Sequence, residues 1–299
     1  MVKYRAMADE FASMREEVAR LCAARGEPPP PTFRLPIEFH RPGEVAVVCR
    51  VAGEAAAASL TSVRGPFATC RFLYVLEAHR SEGLPRTLVG RTLGLVRSAA
   101  PKLPVLATFE WLRGEPPPGI ASALEQAGFV RRDQAVLWRR LAAPFPERAP
   151  PPGYVLKPLA DEHIEQAAQV MLAAPEPGAF AWTLDTCRVA LERAAEPETP
   201  RFPAGRAQGL FAADGTLAAF AAADATGFVQ LVFAHPAHRG RGLASAALGA
   251  VLRALREEGR EETGISVVAS NEAAATLYSS LGFEERRRYA QFFLEGPFS

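Results

Sequence analysis

The 299-residue sequence predicts an α/β protein made of two copies of one layered fold, each a mixed sheet flanked by helices. Three observations predict it. Apolar residues recur at spacings of two, then of three and four, along both halves, as strands and helices in succession require. Two segments of the first half return in the same order in the second. A proline-rich stretch lies at mid-chain between Pro144 and Gly153.

The repeat is specific. Setting His79 on His238, an offset of 159 residues, brings Ala78, Arg80, Gly83, Leu84, Gly90 and Leu93 onto Ala237, Arg239, Gly242, Leu243, Gly249 and Leu252. Farther on, the run from Gln126 to Trp138 resembles the run from Ser280 to Phe293 at an offset of 154, a drift that one loop absorbs. Two matched segments in one order indicate duplication. Successive prolines neither continue a helix nor pair in a central strand. The boundary is therefore expected at residues 144–153, a linker between a first domain of residues 1–143 and a second of residues 154–299.

In the first half the pattern predicts a helix over residues 11–24 and strands over 45–51, 55–62 and 68–75. A helix over 85–98, a strand over 105–109, a helix over 120–126 and a strand over 129–141 follow. Only residues 32–39 offer themselves as a preceding strand. In the second half, residues 154–159 read as a strand and 161–174 as a helix with Asp161 as its N-cap. A helix is expected over 182–195, then three strands within 209–235, with Asp214-Gly215 as a tight hairpin turn. Residues 243–258 carry a helical stripe, 265–269 are β-branched, 272–281 form a helix stopped by Gly282, and 283–294 return as strand.

Composition narrows the function. A formal net charge of +1 lacks the basic excess of a nucleic-acid binder. No apolar run reaches the length of a membrane span, and the first residues lead into a charged stretch rather than a signal-peptide core. Cys22, Cys49, Cys70 and Cys187 form no CxxC pair and no zinc constellation, so free thiols in a reducing cytoplasm, and no metal, are expected.

The stretch AHPAHRGRGLASAAL, from Ala234 to Leu248, joins an apolar strand to a helix through two glycines and two arginines. Glycine lets the backbone turn sharply, and a helix N-terminus offers unpaired amides and partial positive charge. Such a loop suits a phosphate or pyrophosphate, or is simply a tight turn with two solvated arginines. It is not a Walker A loop, since no GK[ST] follows, nor the GxGxxG dinucleotide fingerprint.

A second motif follows at Asn271 to Phe283. Asn271, Ala274, Leu277, Tyr278, Gly282 and Phe283 fill the pattern N-x-x-A-x-x-[LF]-Y-x-x-x-G-F, while Arg239, Gly242 and Ala244 fill [RQ]-x-x-G-x-[GA] with Pro236 ahead of them. From about residue 154 onward the chain thus resembles the GNAT superfamily of acyl-CoA-dependent N-acetyltransferases. The resemblance implies two tandem GNAT folds, each a mixed, mostly antiparallel sheet flanked by helices. Two neighbouring parallel strands would part to admit the pantetheine arm of acetyl-CoA, the acyl donor. Backbone groups of Val232, Phe233 and Ala234 would hold that arm, joined by Asn271, which also suits an N-cap. The amides of Gly240, Arg241, Gly242, Leu243 and Ala244, with Arg239, would hold the pyrophosphate. Tyr278 would protonate the leaving thiolate, and an amide near Phe233 would serve the oxyanion. The acceptor would be a primary amine of a small molecule or peptide, attacking directly. The general base is not legible: His235 and His238 stand near the loop and Asp224 in the turn before the preceding strand, without a pattern that selects one.

The first copy departs from the pattern. Gly240 becomes Ser81, Arg241 becomes Glu82 and Ala244 becomes Pro85, while Tyr278 faces Leu124. That copy is expected to bind no cofactor, and the pair to stand as a monomer that mimics a dimer. A non-catalytic acyl-CoA-binding or structural module, or transfer of a different acyl group, remains the alternative.

Overall fold

The computed structural model describes residues 12–24, 44–63, 67–80, 83–109, 115–146, 148–174, 183–194 and 205–296. The first half contains α1 (Ala12–Ala24), β1 (Glu44–Val51), β2 (Glu54–Ser62), β3 (Ala68–Val75), α2 (Leu84–Ala99), β4 (Val105–Thr108), α3 (Ile120–Gln126) and β5 (Val130–Arg140). The second contains β6 (Tyr154–Pro158), α4 (Ile164–Ala173), α5 (Leu184–Ala194), β7 (Ala207–Ala212), β8 (Leu217–Ala223) and β9 (Val229–Ala234). It closes with α6 (Leu243–Glu257), β10 (Glu262–Val268), α7 (Glu272–Ser280) and β11 (Glu284–Leu294). The strand expected at residues 32–39 lies outside the described residues, as does Trp182 at the start of the helix expected from 182. No helix among the described residues is long and apolar enough to cross a membrane.

The compact units do not divide at residues 144–153. One comprises Met1–Asp133 with Arg288–Ser299, the other Gln134–Arg287. In the first, strands run β1-β2-β3-β4-β11, with Gln291–Leu294 antiparallel to Thr108–Val105. In the second they run β5-β10-β9-β8-β7-β6, with Gln134–Arg140 antiparallel to Val268–Glu262. The last strand of each half is thus built into the sheet of the other. Strand partners are chosen by register and face burial, which the local pattern of β5 or β11 does not encode. The proline-rich segment belongs wholly to the second unit.

The second unit buries apolar residues on both faces of its sheet. Leu248, Val251, Leu252 and Leu255 of α6 are fully buried against β7, β8 and β9. Truncating any one of these leucines to Ala would cost about 2–5 kcal/mol. On the opposite face, Ala167, Ala168 and Met171 of α4 and Cys187 and Leu191 of α5 cover Leu231 and Phe233.

Two local expectations are corrected. Asp161 does not cap a helix: it opens a 3-10 turn, and the Ala160 amide donates to His163 Nδ1 at 2.9 Å. The β7–β8 turn is not a two-residue turn with both central residues at positive φ. Gly215 alone takes φ +84°, and the Thr216 amide donates to Asp214 Oδ1 at 3.0 Å. The short Asp side chain supplies the turn's acceptor, so its own backbone stays in an ordinary region.

Candidate active site

The site begins where β9 and β10 part. These parallel strands share one register pair, Ile265 with Val229. The joined end is clamped. Thr263 Oγ1 donates to the Gly227 carbonyl at 2.6 Å, and Trp138 meets Phe228 edge-on at 6.0 Å. Both rings press on Gly264, where a Cβ would come within 2.7 Å of Phe228 and 2.9 Å of Trp138. Past that point β9 bends. Ala222 faces Leu231 while the next residue, Ala223, faces Val229, so Gln230 is an extra residue, a β-bulge. Burial records the same slip. Val229 lies with the α6 side of the core, yet Leu231 and Phe233 lie with the α4 side, and Val232 and Ala234 return to the α6 side. One inserted residue flips every later side chain to the other face.

Asp224 holds this bulge. Its Oδ1 accepts from the Thr226 amide at 2.8 Å, the Thr226 hydroxyl at 2.6 Å and the Phe228 amide at 3.1 Å, while Oδ2 accepts from Gln230 Nε2 at 2.7 Å. A carboxylate so occupied is a buttress for the turn, not a base waiting for a proton.

Beyond Ala234 the chain makes a 3-10 turn over Pro236–His238, which His235 caps through Nδ1, accepting from the Ala237 amide at 3.3 Å. Arg239 is extended, and Gly240 and Gly242 follow at φ +75° and +74°. A non-glycine residue at such angles costs about 1–2 kcal/mol. Gly242 is the N-cap of α6, and its carbonyl takes the Ala246 amide at 3.0 Å. The amides of the first turn, from Leu243 to Ser245, have no acceptor within the helix. A cavity of about 360 Å³ opens in front of them. Ala234, His238, Arg239, Gly240 and Gly242 to Ala244 line it, with Ala274, Leu277 and Ser280 of α7 opposite.

The predicted residues take distinct places. Gly240, Gly242, Leu243 and Ala244 come together with Arg239 at the cavity, and Ala234 reaches it from the strand. Arg241 is drawn aside: Nη1 donates to Tyr154 Oη at 2.8 Å and the guanidinium lies over that ring at 5.9 Å. Tyr154 Oη lies 2.8 Å from His238 Nδ1. The phenol oxygen thus joins Arg241 and His238 in one hydrogen-bonded chain. Asn271 is buried and caps α7, its Oδ1 accepting from the Ala274 amide at 3.1 Å. Tyr278, 4% exposed, sits in the α6-side core with its ring 6.0 Å from Phe283. The α7 residues that line the cavity, Ala273, Ala274, Leu277 and Ser280, flank Tyr278 in sequence, and Tyr278 itself does not line it.

Sequence reading missed Gln230, Tyr154 and Arg148. The bulge leaves no residue signal. Tyr154 stands at the start of β6, far from the loop in sequence. Arg148 lies among prolines that read as linker, yet it lines the cavity.

The same loop in the first unit is differently used. Gly83 keeps the left-handed N-cap geometry at φ +71°. Arg80, the counterpart of Arg239, turns inward: its Nη2 donates to Tyr74 Oη at 3.1 Å and lies 3.5 Å from Glu17. Pro85 occupies the first turn of α2, and a Cβ on Gly119 would come within 3.2 Å of it.

Comparison with known proteins agrees with this geometry. Residues 208–292 match the FR47-like protein family. A mycothiol acetyltransferase of Thermobispora bispora is 33% identical over 191 residues, which is 58% of this chain and 61% of that protein. The chain therefore matches less than two thirds of that relative's length. A GCN5-related N-acetyltransferase from Sphaerobacter thermophilus superposes with a TM-score of 0.65 at 20% identity, covering 98% of this chain and 96% of the other. A tandem GNAT protein from the clavulanic acid biosynthesis pathway gives 0.53 at 20% identity over 99% and 97%. At such identities the structural likeness speaks for the fold. The likeness to tandem GNAT folds thus runs through both halves, and the segment matched by the FR47-like family holds both the loop and the Asn271–Phe283 motif.

Proposed function

We propose that the chain is an N-acetyltransferase that moves an acetyl group from acetyl-CoA to a primary amine of a small molecule or peptide, both bound together. The observation that carries this reading is the cavity at the N-terminus of α6, which opens at the Ala234 end of β9, beyond the point where β9 leaves β10. A polyanion fits there: amides converge, two glycines let the backbone approach closely, and Arg239 adds charge. When bound, acetyl-CoA would supply an activated acyl thioester. The unpaired edge of β9 at Val232, Phe233 and Ala234 offers hydrogen bonds to an extended arm, and its amide near Phe233 a donor for developing negative charge on the acyl oxygen. Asn271 fixes the first turn of α7 and with it the wall formed by Ala274 and Leu277. As the C–N bond forms and the C–S bond breaks, Tyr278 would supply the proton for the departing sulfur, its side chain turning out of the α6-side core to reach it, and the amine would lose a proton to water. With Asp224 and His235 committed to turns, no side chain described here is assigned as base.

The relative's name points to a small-molecule acceptor. The first unit is proposed as a copy without cofactor, supported by Arg80 on Tyr74 and Glu17 and by Pro85 at its helix start. A cytoplasmic monomer is proposed in keeping with the buried free thiols of Cys49, Cys70 and Cys187 and with the two folds in one chain.

Calorimetric titration of acetyl-CoA into the wild type and Gly242→Glu tests the reading. About one site per chain, lost in the variant, is the expected result. No binding to the wild type refutes the proposal, and a stoichiometry of two refutes the lapse of the first copy. Binding without transfer to any amine in a broad panel selects the non-catalytic alternative.

A further inference from the structure

The proline-rich segment between β5 and β6 is fastened along α6, and its fastening has a consequence for the cavity. Arg139 of β5 is 3% exposed, and burial, then the nearby charge of Arg256, lowers its pKa from the ordinary arginine value. Backbone carbonyls answer its charge. Nη2 donates to the Ala143 carbonyl at 2.6 Å, and Nη1 donates to the Leu281 carbonyl. Its guanidinium lies 4.8 Å over the Phe145 ring, and Arg256 of α6 lies 5.5 Å from the same ring. Phe145 is half-buried against the α6-side core and rests over Gly249, where a Cβ would sit 3.8 Å from the ring. Three residues later Arg148 stands over Gly242, with Nη1 3.3 Å from where a Cβ would be. Phe145 thus lies over Gly249, within α6, and Arg148 over Gly242, at its N-terminus.

We propose that this segment is a strap that delivers Arg148 to the cavity as a phosphate-binding side chain, making it a determinant of affinity for the phosphate-bearing end of the acyl donor. The inference rests on the reading of the loop as a phosphate site. The chemistry favours it: Arg148 and Arg239 line one cavity with convergent helix amides, and a guanidinium forms two-pronged, charge-assisted bonds to phosphate. Arg241, which sequence alone would place there, is engaged with Tyr154 instead. Two prolines precede and three follow Arg148 between residues 144 and 152, which shortens the conformational freedom lost when the strap lies down.

The test compares wild type, Arg148→Ala and Arg148→Lys for binding of acetyl-CoA, by calorimetry, and of S-acetylpantetheine, which lacks phosphates, by competition. Arg148 is exposed, so both variants fold. The expected result is that Arg148→Ala binds acetyl-CoA roughly five- to tenfold more weakly and S-acetylpantetheine unchanged, with Arg148→Lys between. The variant also shows a shallower loss of affinity with salt. Phe145→Ala, which leaves Arg148 in place but unfastens the strap, weakens acetyl-CoA in the same direction. If wild type binds acetyl-CoA and Arg148→Ala binds it within twofold, the proposal is overturned while the proposed function stands. Equal weakening toward S-acetylpantetheine overturns it too, by making Arg148 a structural residue. If the wild type binds neither ligand, the reading of the site itself is what fails.

Discussion

Asp224→Asn separates two roles for the carboxylate nearest the parting of the strands. As a buttress, Asp224 uses both oxygens, three bonds to Oδ1 and one to Oδ2. The amide keeps Oδ1 as an acceptor for the Thr226 amide, the Thr226 hydroxyl and the Phe228 amide. It loses only the bond from Gln230 Nε2, which a flipped Gln230 amide can restore, and the charge behind the others. For a side chain at the surface that amounts to about 0.5–1.5 kcal/mol. For a compact unit of this size each kcal/mol corresponds to about 2–4 °C, so the melting temperature falls by roughly 1–6 °C. Turnover, followed as thiol released from acetyl-CoA in the presence of amines, stays within about threefold, and its pH profile does not move. A general base at this position would instead cost about 10²–10⁴-fold in kcat. A hundredfold loss in kcat with unchanged melting would refute the buttress and make Asp224 the base.

Other substitutions probe the rest of the site. Tyr278→Phe lowers kcat by about 10²-fold with little change in acetyl-CoA affinity; an unaltered kcat removes Tyr278 from the chemistry. Gly240→Ala and Gly242→Ala each destabilise by about 1–2 kcal/mol, since both glycines hold positive φ, and thermal melting reads the two losses. Tyr154→Phe removes the oxygen between Arg241 and His238 while keeping the ring, and weakens acetyl-CoA binding by about three- to tenfold in titration. Burial raises the thiols of Cys70 and Cys187 to about 11. Their folded pKa lies above that of the unfolded chain, so stability is full below pH 9 and declines as pH rises through about 11, measurable as falling melting temperature. Both thiols resist alkylation at pH 8 until denaturant is added.

Much of this architecture is written in local pattern. The stripe from Leu243 to Leu255 names both a helix and its buried face, and the unbroken apolar run of β8 names a strand covered on both faces. Asn271 could be read as a cap because a cap is made within four residues. What escaped reading depends on distant partners. β5 carries the burial pattern of any strand, and nothing in Gln134–Arg140 says that its neighbour is β10. The bulge at Gln230 inserts one residue into an apolar run that looks uninterrupted. Arg148 sits in a segment whose prolines exclude helix and sheet but do not exclude packing, and Phe145 among them was the sign that it packs. Arg241 matched the loop by sequence, yet its side chain follows an acceptor that enters from β6.

The exchange of last strands bears on how such a chain persists through time. The first half carries Ser81, Glu82 and Leu124 where the second has Gly240, Arg241 and Tyr278, and a copy so changed would ordinarily be free to erode or be deleted. Here it cannot be. Gln134–Arg140, encoded in the first half, forms the strand beside β10 in the unit that carries the candidate chemistry, and Gln291–Leu294, encoded at the far end, completes the other. A gene cut between the halves would leave each product missing a strand and exposing a raw sheet edge. Two sister copies that trade a strand have become heritable only as a couple.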